Sequence, residues 1–351
     1  VAEHTFNERI LDAQISHQIG LLRFREGLAD RVIEQLERVE KDLRKQLRER
    51  LSAIAERGYD VGPATTNRLR RLNAAVSETL HRAYLNMGDT LRAELNELSR
   101  YEVDFQTRLI QANTPFVELA FAIPPADALR GIVTAEPMRG RFLRDLLRQA
   151  ERGAIRRADE AIRLGIIEGE PTPAIVRRVM GNEGLGIGKR GVQALVRTAV
   201  THTTTRAREL FYAENSDIIA GVMWVSTLDN RTTPICQRLD GQVFEPKQGP
   251  RPPAHISCRS ATSPILDGQN EIFGDRASQV GPVPAKTTYN EFLKRQPASF
   301  QDEVLGPTRA KLFRRGGLDV DRFVDFTGRR YSLAELRVRE AAAFERAGIT
   351  D

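Results

Sequence analysis

For its first 112 residues the chain carries a single proline, Pro63 in the run RGYDVGPATTN, and this scarcity of helix breakers constrains the fold more than any other feature. Before that run, Leu28, Val32, Leu36, Val39, Leu43, Leu47, Leu51 and Ile54 recur at steps of three and four, which keeps one apolar stripe on one long helix. The opposite face carries charges at i,i+4 distances, Glu37 with Lys41 among them. After the turn, Leu69, Leu72, Val76, Leu80 and Tyr84 resume the stripe, which continues through Leu91, Leu95 and Leu98 towards Ile110. Two such helices pair as an antiparallel hairpin over residues 1–112, serving as a projecting arm and oligomer contact or simply as a helical core.

Pro115, Pro124, Pro125 and Pro137 then interrupt the helical pattern and mark residues 113–140 as a linker. A basic helical region, 141–217, follows. Its first helix is expected from about Arg141 to Leu164. On a helical wheel Arg141, Arg148, Arg152, Arg156 and Arg163 fall within roughly a quarter-turn, while Phe142, Leu143, Leu146, Leu147 and Ala150 face away. Pro171 and Pro173 open a short helix over Ala174 to Met180. The run GNEGLGIGKRG resembles a phosphate loop, but Lys189 is followed by Arg190 where that motif needs Ser or Thr, so it reads as a plain loop. Another helix spans Arg190 to Asn215.

The net charge is +6, and between Arg139 and Arg208 fifteen basic residues face seven acidic ones. The rest of the chain is therefore slightly acidic. So local an excess suggests a polyanion, and DNA is the expected one, with the arginine stripe as its contact. The plain alternative is a solvated face, since only seven of the 53 basic residues are lysine and genome composition alone can favour arginine. No run of apolar residues is long enough to span a bilayer, and the first residues lack the pattern of a secretory signal, so synthesis in a cytoplasm is expected. Two cysteines cannot build a disulfide framework.

From residue 218 the composition changes. VMWVSTL, at 222–228, is a β-rich run holding the one tryptophan, and the turn-rich segment after it holds both cysteines. The expected fold is thus mainly α, with a long N-terminal helical hairpin and a small C-terminal α+β module: a knuckle at 218–270 and an adapter or cap at 271–351. The latter is expected to contain two small helices and a β-turn. Within the knuckle, Trp224, Asp229, Arg231, Cys236, Asp240, Gly241, His255, Cys258 and Arg259 form an ordered set. Cys236, His255 and Cys258 are metal-ligand types, but structural zinc normally takes four ligands and only three soft ones are present. The pattern favours no bound metal and no cofactor. Zinc on Cys236, His255 and Cys258 is the alternative, and a Cys–His nucleophile pair a more distant one. Arg231 and Arg259 are expected to pair with Asp229 or Asp240.

The same ordered set resembles the phage head morphogenesis, or Mu F-like minor head protein, family: a tryptophan strand, D-x-R-T, Cys, L-D-G, an aromatic, then P-P-x-H-x-x-C-R. Arg197-Thr198 on the preceding helix also fits, as does the stretch from TYNEFLKRQP to SLAELR, so that the resemblance covers about residues 190–340. Family members commonly carry a further cysteine three residues before the first one here. Thr233 stands at that place, which weakens the zinc reading.

The resemblance implies a minor head protein of a tailed bacteriophage, structural rather than enzymatic, that aids head assembly and genome packaging or delivery. It implies the portal protein, the major capsid protein or inner head wall, packaged DNA and further copies of itself as partners. It places the protein in the virion near the portal, with no membrane when assembled. A metal- or cysteine-dependent nuclease or hydrolase carried in the particle is the alternative; the five scattered histidines speak against it.

Overall fold

The computed structural model describes residues 6–56, 63–114, 119–181, 189–266 and 275–349. The whole RGYDVG turn and most of the glycine-rich run lie outside them. Two helices, α1 (Phe6–Ala55) and α2 (Pro63–Asn113), form the hairpin that the stripe periodicity predicts. The chain divides into two compact units, each assembled from separated stretches, so α1 and α2 both contribute to each.

One unit combines residues 23–100 with 126–203. Here Leu28, Val32, Leu36, Leu43, Leu47, Leu51 and Ile54 of α1 are buried, as are Leu72, Val76, Leu80, Tyr84, Leu91, Leu95 and Leu98 of α2. Val39 and Leu69, at the margins of the stripes, are half-buried. Polar contacts flank the seam: Arg31 donates to Glu94 at 2.9 Å, and Gln35 to Thr90 at 3.3 Å. The proline-bearing stretch contains a helix of its own, α3 (Ala126–Thr134), which buries Leu129, Ile132 and Val133.

The stripe helix, α4 (Leu143–Ile167), starts two residues later than expected, so Arg141 is not helical but bridges to Met138 in a tight turn. Its buried face is Leu143, Leu147, Ala154, Ala158, Ile162 and Gly165. Ala150, expected on that face, is exposed. Small residues let α5 (Thr172–Met180) approach closely: a Cβ on Gly165 would lie 2.7 Å from Ile175. Against α2, Glu151 of α4 meets His81 at 2.7 Å, and Asp159 accepts from Asn73. Helix α6 (Lys189–Glu214) is tied to α1 by the fork of Arg197 on Glu26.

The other unit combines residues 1–22, 101–125 and 204–351. Its helices meet around charge rather than around a purely apolar seam. Glu102, fully buried, accepts from Arg208 and lies 2.8 Å from His17 Nε2; Gln106 donates to Gln14 and accepts from the Tyr212 hydroxyl. The sheet has the order β2-β1-β3, with β1 (Ile219–Val225) antiparallel to both β2 (Val243–Phe244) and β3 (Ala261–Leu266). One layer beneath it joins Leu11 of α1 to Met223, Val225 and Ile265.

A hairpin of β4 (Asp275–Ser278) and β5 (Gly281–Pro284) leads into the C-terminal core. That region is more helical than the expected pair of helices and a turn. It holds α8 (Tyr289–Lys294), α9 (Ala298–Leu305), α10 (Pro307–Arg314), a 3-10 turn (Val320–Phe323), α11 (Leu333–Arg339) and α12 (Ala341–Arg346). These helices are too short for a full amphipathic period to show in the sequence. They share a core of Tyr289, Phe292, Leu312, Phe323, Leu336 and Phe344. No described helix is long and apolar enough to cross a membrane.

Candidate functional site

The knuckle is built outward from Trp224. Its position on the central strand, register-paired with Thr262 of β3, puts the indole into an apolar cluster with Cys236, Leu239 and Cys258. The ring is fully buried, and its N–H donates to Ser226 Oγ at 2.9 Å; Ser226 Oγ in turn donates to the Cys236 carbonyl. A buried indole needs such a partner, because an unsatisfied N–H would cost about 1–3 kcal/mol. Gly241 closes the turn after α7 (Pro234–Leu239). Its φ of 79° is one that L-residues rarely adopt, and a Cβ there would meet Thr288 at 3.0 Å. The turn lets Gly241 N donate to the Trp224 carbonyl and Trp224 N to that of Gln242.

Two carboxylates organise the loops. Asp229 receives both ends of the Arg259 guanidinium, at 2.5 and 2.7 Å, together with Arg231 N at 3.0 Å. Burial alone would raise its carboxyl; the fork from Arg259 outweighs that and holds it below the usual range. The Arg231 side chain stays 76% exposed, 3.7 Å from Asp229, so it contributes little to the pair. Asp240 turns to a residue that sequence reasoning missed. Arg276, from β4, reaches it at 3.0 and 3.1 Å, and Ser226 N and Tyr289 N donate to the same carboxylate. Arg276 is also bonded to the carbonyls of Ser226 and Thr287, so one buried guanidinium ties strand, turn and C-terminal core together. Nothing in its local sequence, DRAS, marks it; only the folded chain brings it to Asp240 across 36 positions.

The remaining members meet at one point. The ligand atoms of Cys236, His255 and Cys258 all lie within 4.8 Å of one another, with Cys236 Sγ 3.3 Å from His255 Nε2 and 3.8 Å from Cys258 Sγ. Ser257, at a φ of 58°, makes the tight turn that returns Cys258 to His255. The His255 Nδ1–H donates to the Ile256 carbonyl at 2.9 Å, which leaves Nε2 with its lone pair facing the sulfurs. Both cysteines are free thiols and buried. Within this coupled pair the hydrogen bond from Cys236, assisted by His255, lowers the Cys258 thiol despite its burial. The bond to Cys258 and burial raise the Cys236 thiol.

This arrangement fits a metal ion. Two thiolates on a tetrahedral zinc, at about 2.3 Å each, stand about 3.8 Å apart. An imidazole whose far nitrogen is fixed by a backbone carbonyl is oriented as zinc-binding histidines are. Cys236, Cys258 and His255 Nε2 would hold such an ion, cross-linking α7 to the His255–Cys258 turn.

The arginines of the stripe sit elsewhere, in the unit that contains α4. Arg141, Arg148, Arg152, Arg156 and Arg163 are all exposed. Arg148, Arg156 and Arg163 come no closer than 3.9 Å to their acidic neighbours Asp145, Glu160 and Asp159.

Neither a curated protein nor a solved structure matches the chain. A family model described as Phage Mu protein F like protein matches residues 157–263, from within α4 to β3, and takes in every knuckle residue from Trp224 to Arg259. Over that stretch the chain is similar to the phage Mu protein F-like family, as the ordered set of knuckle residues leads one to expect.

Proposed function

We propose that this protein is a structural component of a tailed-phage head, acting in head morphogenesis beside the portal protein and the packaged DNA. The observation that carries this reading is the family match over the whole knuckle. The build of the knuckle supports it: its two loop-organising carboxylates are each matched by a guanidinium, Asp229 by Arg259 and Asp240 by Arg276 from β4, as in a scaffold. A nuclease or hydrolase would want an accessible nucleophile or a polar metal site with a base. Here both sulfurs are buried, and among the described residues no carboxylate or second histidine joins the cluster.

Within this reading the exposed α4 arginines contact the DNA backbone. Three guanidiniums at least 67% exposed, on one helix and only loosely held by their neighbours, can each neutralise a phosphate and release counterions. The α1–α2 hairpin makes the contacts to the portal, the inner head wall or further copies. Zinc on Cys236, His255 and Cys258 would act as a staple rather than a reagent.

Cryo-electron microscopy of purified particles tests the proposal. Density for this chain at the portal vertex, on the genome side, is the expected result. A particle complete without it would remove the virion role.

A further inference from the structure

Beside α4, within its own unit, lies a cleft of about 690 Å³, bounded by Tyr84 of α2 and by Gly191 and Val192 in the first turn of α6. That volume is the size of a ligand site. From α4 come Ala150 and Gly153, whose small side chains leave the space open, and Arg152, Arg156 and Arg157. Ala150 is exposed because it lines this cleft and not the core. The three arginines are exposed as well, and among the described residues no carboxylate lines the cleft with them. A concave surface carrying one sign of charge focuses its field inward and draws a counter-ion more strongly than the same charges on an open helix.

Gly153 adds a second, independent observation. Glycine is a poor residue for a helix interior, yet here it stands where a Cβ would come 3.2 Å from Arg157 Nη1. The bare backbone lets that guanidinium fold back over its own helix at the cleft. Arg157 lies outside the stripe of Arg141, Arg148, Arg152, Arg156 and Arg163, so the stripe does not account for it.

We propose that this cleft is a phosphate seat, into which a DNA strand inserts a backbone phosphate held by Arg152, Arg156 and Arg157. The inference rests on the reading of α4 as a DNA contact and adds to it the point of entry and one residue, Arg157. Guanidiniums suit this ligand, because a planar fork meets two phosphate oxygens at once. The apolar part of the lining, Leu146 and Val192, suits the sugar beside it. A seated phosphate fixes the strand's position on the protein without reading its sequence.

Gly153→Leu tests this, because it fills the cleft and leaves every charge in place. Nothing from another element lies within 4 Å of a Cβ at that position, so the fold has room for it. Binding of the full chain to a short labelled duplex should weaken on the order of tenfold at about 0.1 M salt, and the log–log salt slope should fall by about one. Gly153→Ala, which moves the guanidinium only slightly, should bind as wild type does. Arg157→Gln should reproduce the loss with the cleft unfilled, and it carries the test if melting shows that the leucine variant has not folded. Calorimetry with inorganic phosphate should show binding to wild type and none to Gly153→Leu.

Duplex affinity and slope unchanged in both Gly153→Leu and Arg157→Gln, with the slope flattened when Arg148, Arg152 and Arg156 become serine, would overturn the seat and leave the DNA reading of the stripe standing. Phosphate binding lost in Gly153→Leu with duplex binding unchanged would make the cleft a site for a free phosphate compound, which also overturns the DNA seat. Duplex binding unaffected in every variant, the triple serine one included, would overturn the DNA reading and the seat together.

Discussion

Arginine does opposite work in the two units. In the unit that carries the knuckle, Arg208, Arg259 and Arg276 are at most 16% exposed in their side chains and locked on carboxylates. In the unit that carries α4, Arg148, Arg156 and Arg163 are between 67% and 74% exposed, and their nearest carboxylates stay 3.9 Å away. The side chain is the same; desolvation makes the difference. A guanidinium taken out of water must be matched donor by donor, and its fork then fixes geometry. One left in water keeps its charge available to a polyanion and contributes almost nothing to folding.

The sharpest way to break this contrast is Arg208→Met, which strands Glu102 inside the helices. The expected loss is about 3–5 kcal/mol, read by denaturant melts, because a buried charge is left without its main partner. The variant should also change acid sensitivity. Burial pushes the Glu102 carboxyl up, but the charge of Arg208, followed by the His17 bond, brings it down to about 2 from its ordinary 4.5. A depressed folded pKa means that the contribution is complete above 4.5 and is lost as pH falls through about 2. Wild type should therefore lose stability over that window, and Arg208→Met should lose much less there. Equal slopes would mean that the pair does not set acid stability.

Smaller, and more specific to geometry, is Arg259→Lys. The charge remains, but one ammonium cannot give Asp229 two parallel bonds, so a cost of about 1–3 kcal/mol is expected in thermal or denaturant melts. No change would show that Asp229 needs only a positive charge nearby. On α4 the same kind of exchange should do nothing to the function proposed for it. Replacing Arg148, Arg152 and Arg156 by lysine should keep the salt dependence of DNA binding, since phosphates read charge there. Replacing all three by serine should flatten the log–log slope by roughly 2 to 3. The smallest effect is on the fold: the serine variant should melt within about 0.5 kcal/mol of wild type. A slope untouched by serine would make the stripe a solvated face, and a large loss of stability would make it part of the core.

The long helices were legible because each apolar residue of α1 repeats a choice made three or four positions earlier, and a stripe of that length has no other good fold. The knuckle residues were legible as a set for a different reason: Trp224, Asp229, Cys236, Asp240, Gly241, His255 and Cys258 stand in an order that resembles a known family, and the matched residues 157–263 contain them all. Their roles were less so. Arg259 was expected on Asp229 or Asp240 and takes Asp229, whereas Asp240 takes Arg276, which lies beyond the recognised spacing. Arg141 counted as helical because a wheel has no start signal, and the chain enters α4 only at Leu143.

The sequence by itself determined what depends on periodicity and local sterics: the hairpin, the tryptophan strand, the glycine that α7 must end on, and the exposed charge of α4. Tertiary structure alone decided which charges are matched, and that the chain divides into two units cutting across both long helices. It also decided that two sulfurs and one imidazole converge. Pairing and convergence depend on distances between residues far apart in the chain. Such distances are set by the packing of whole elements, and no local pattern of residues encodes them.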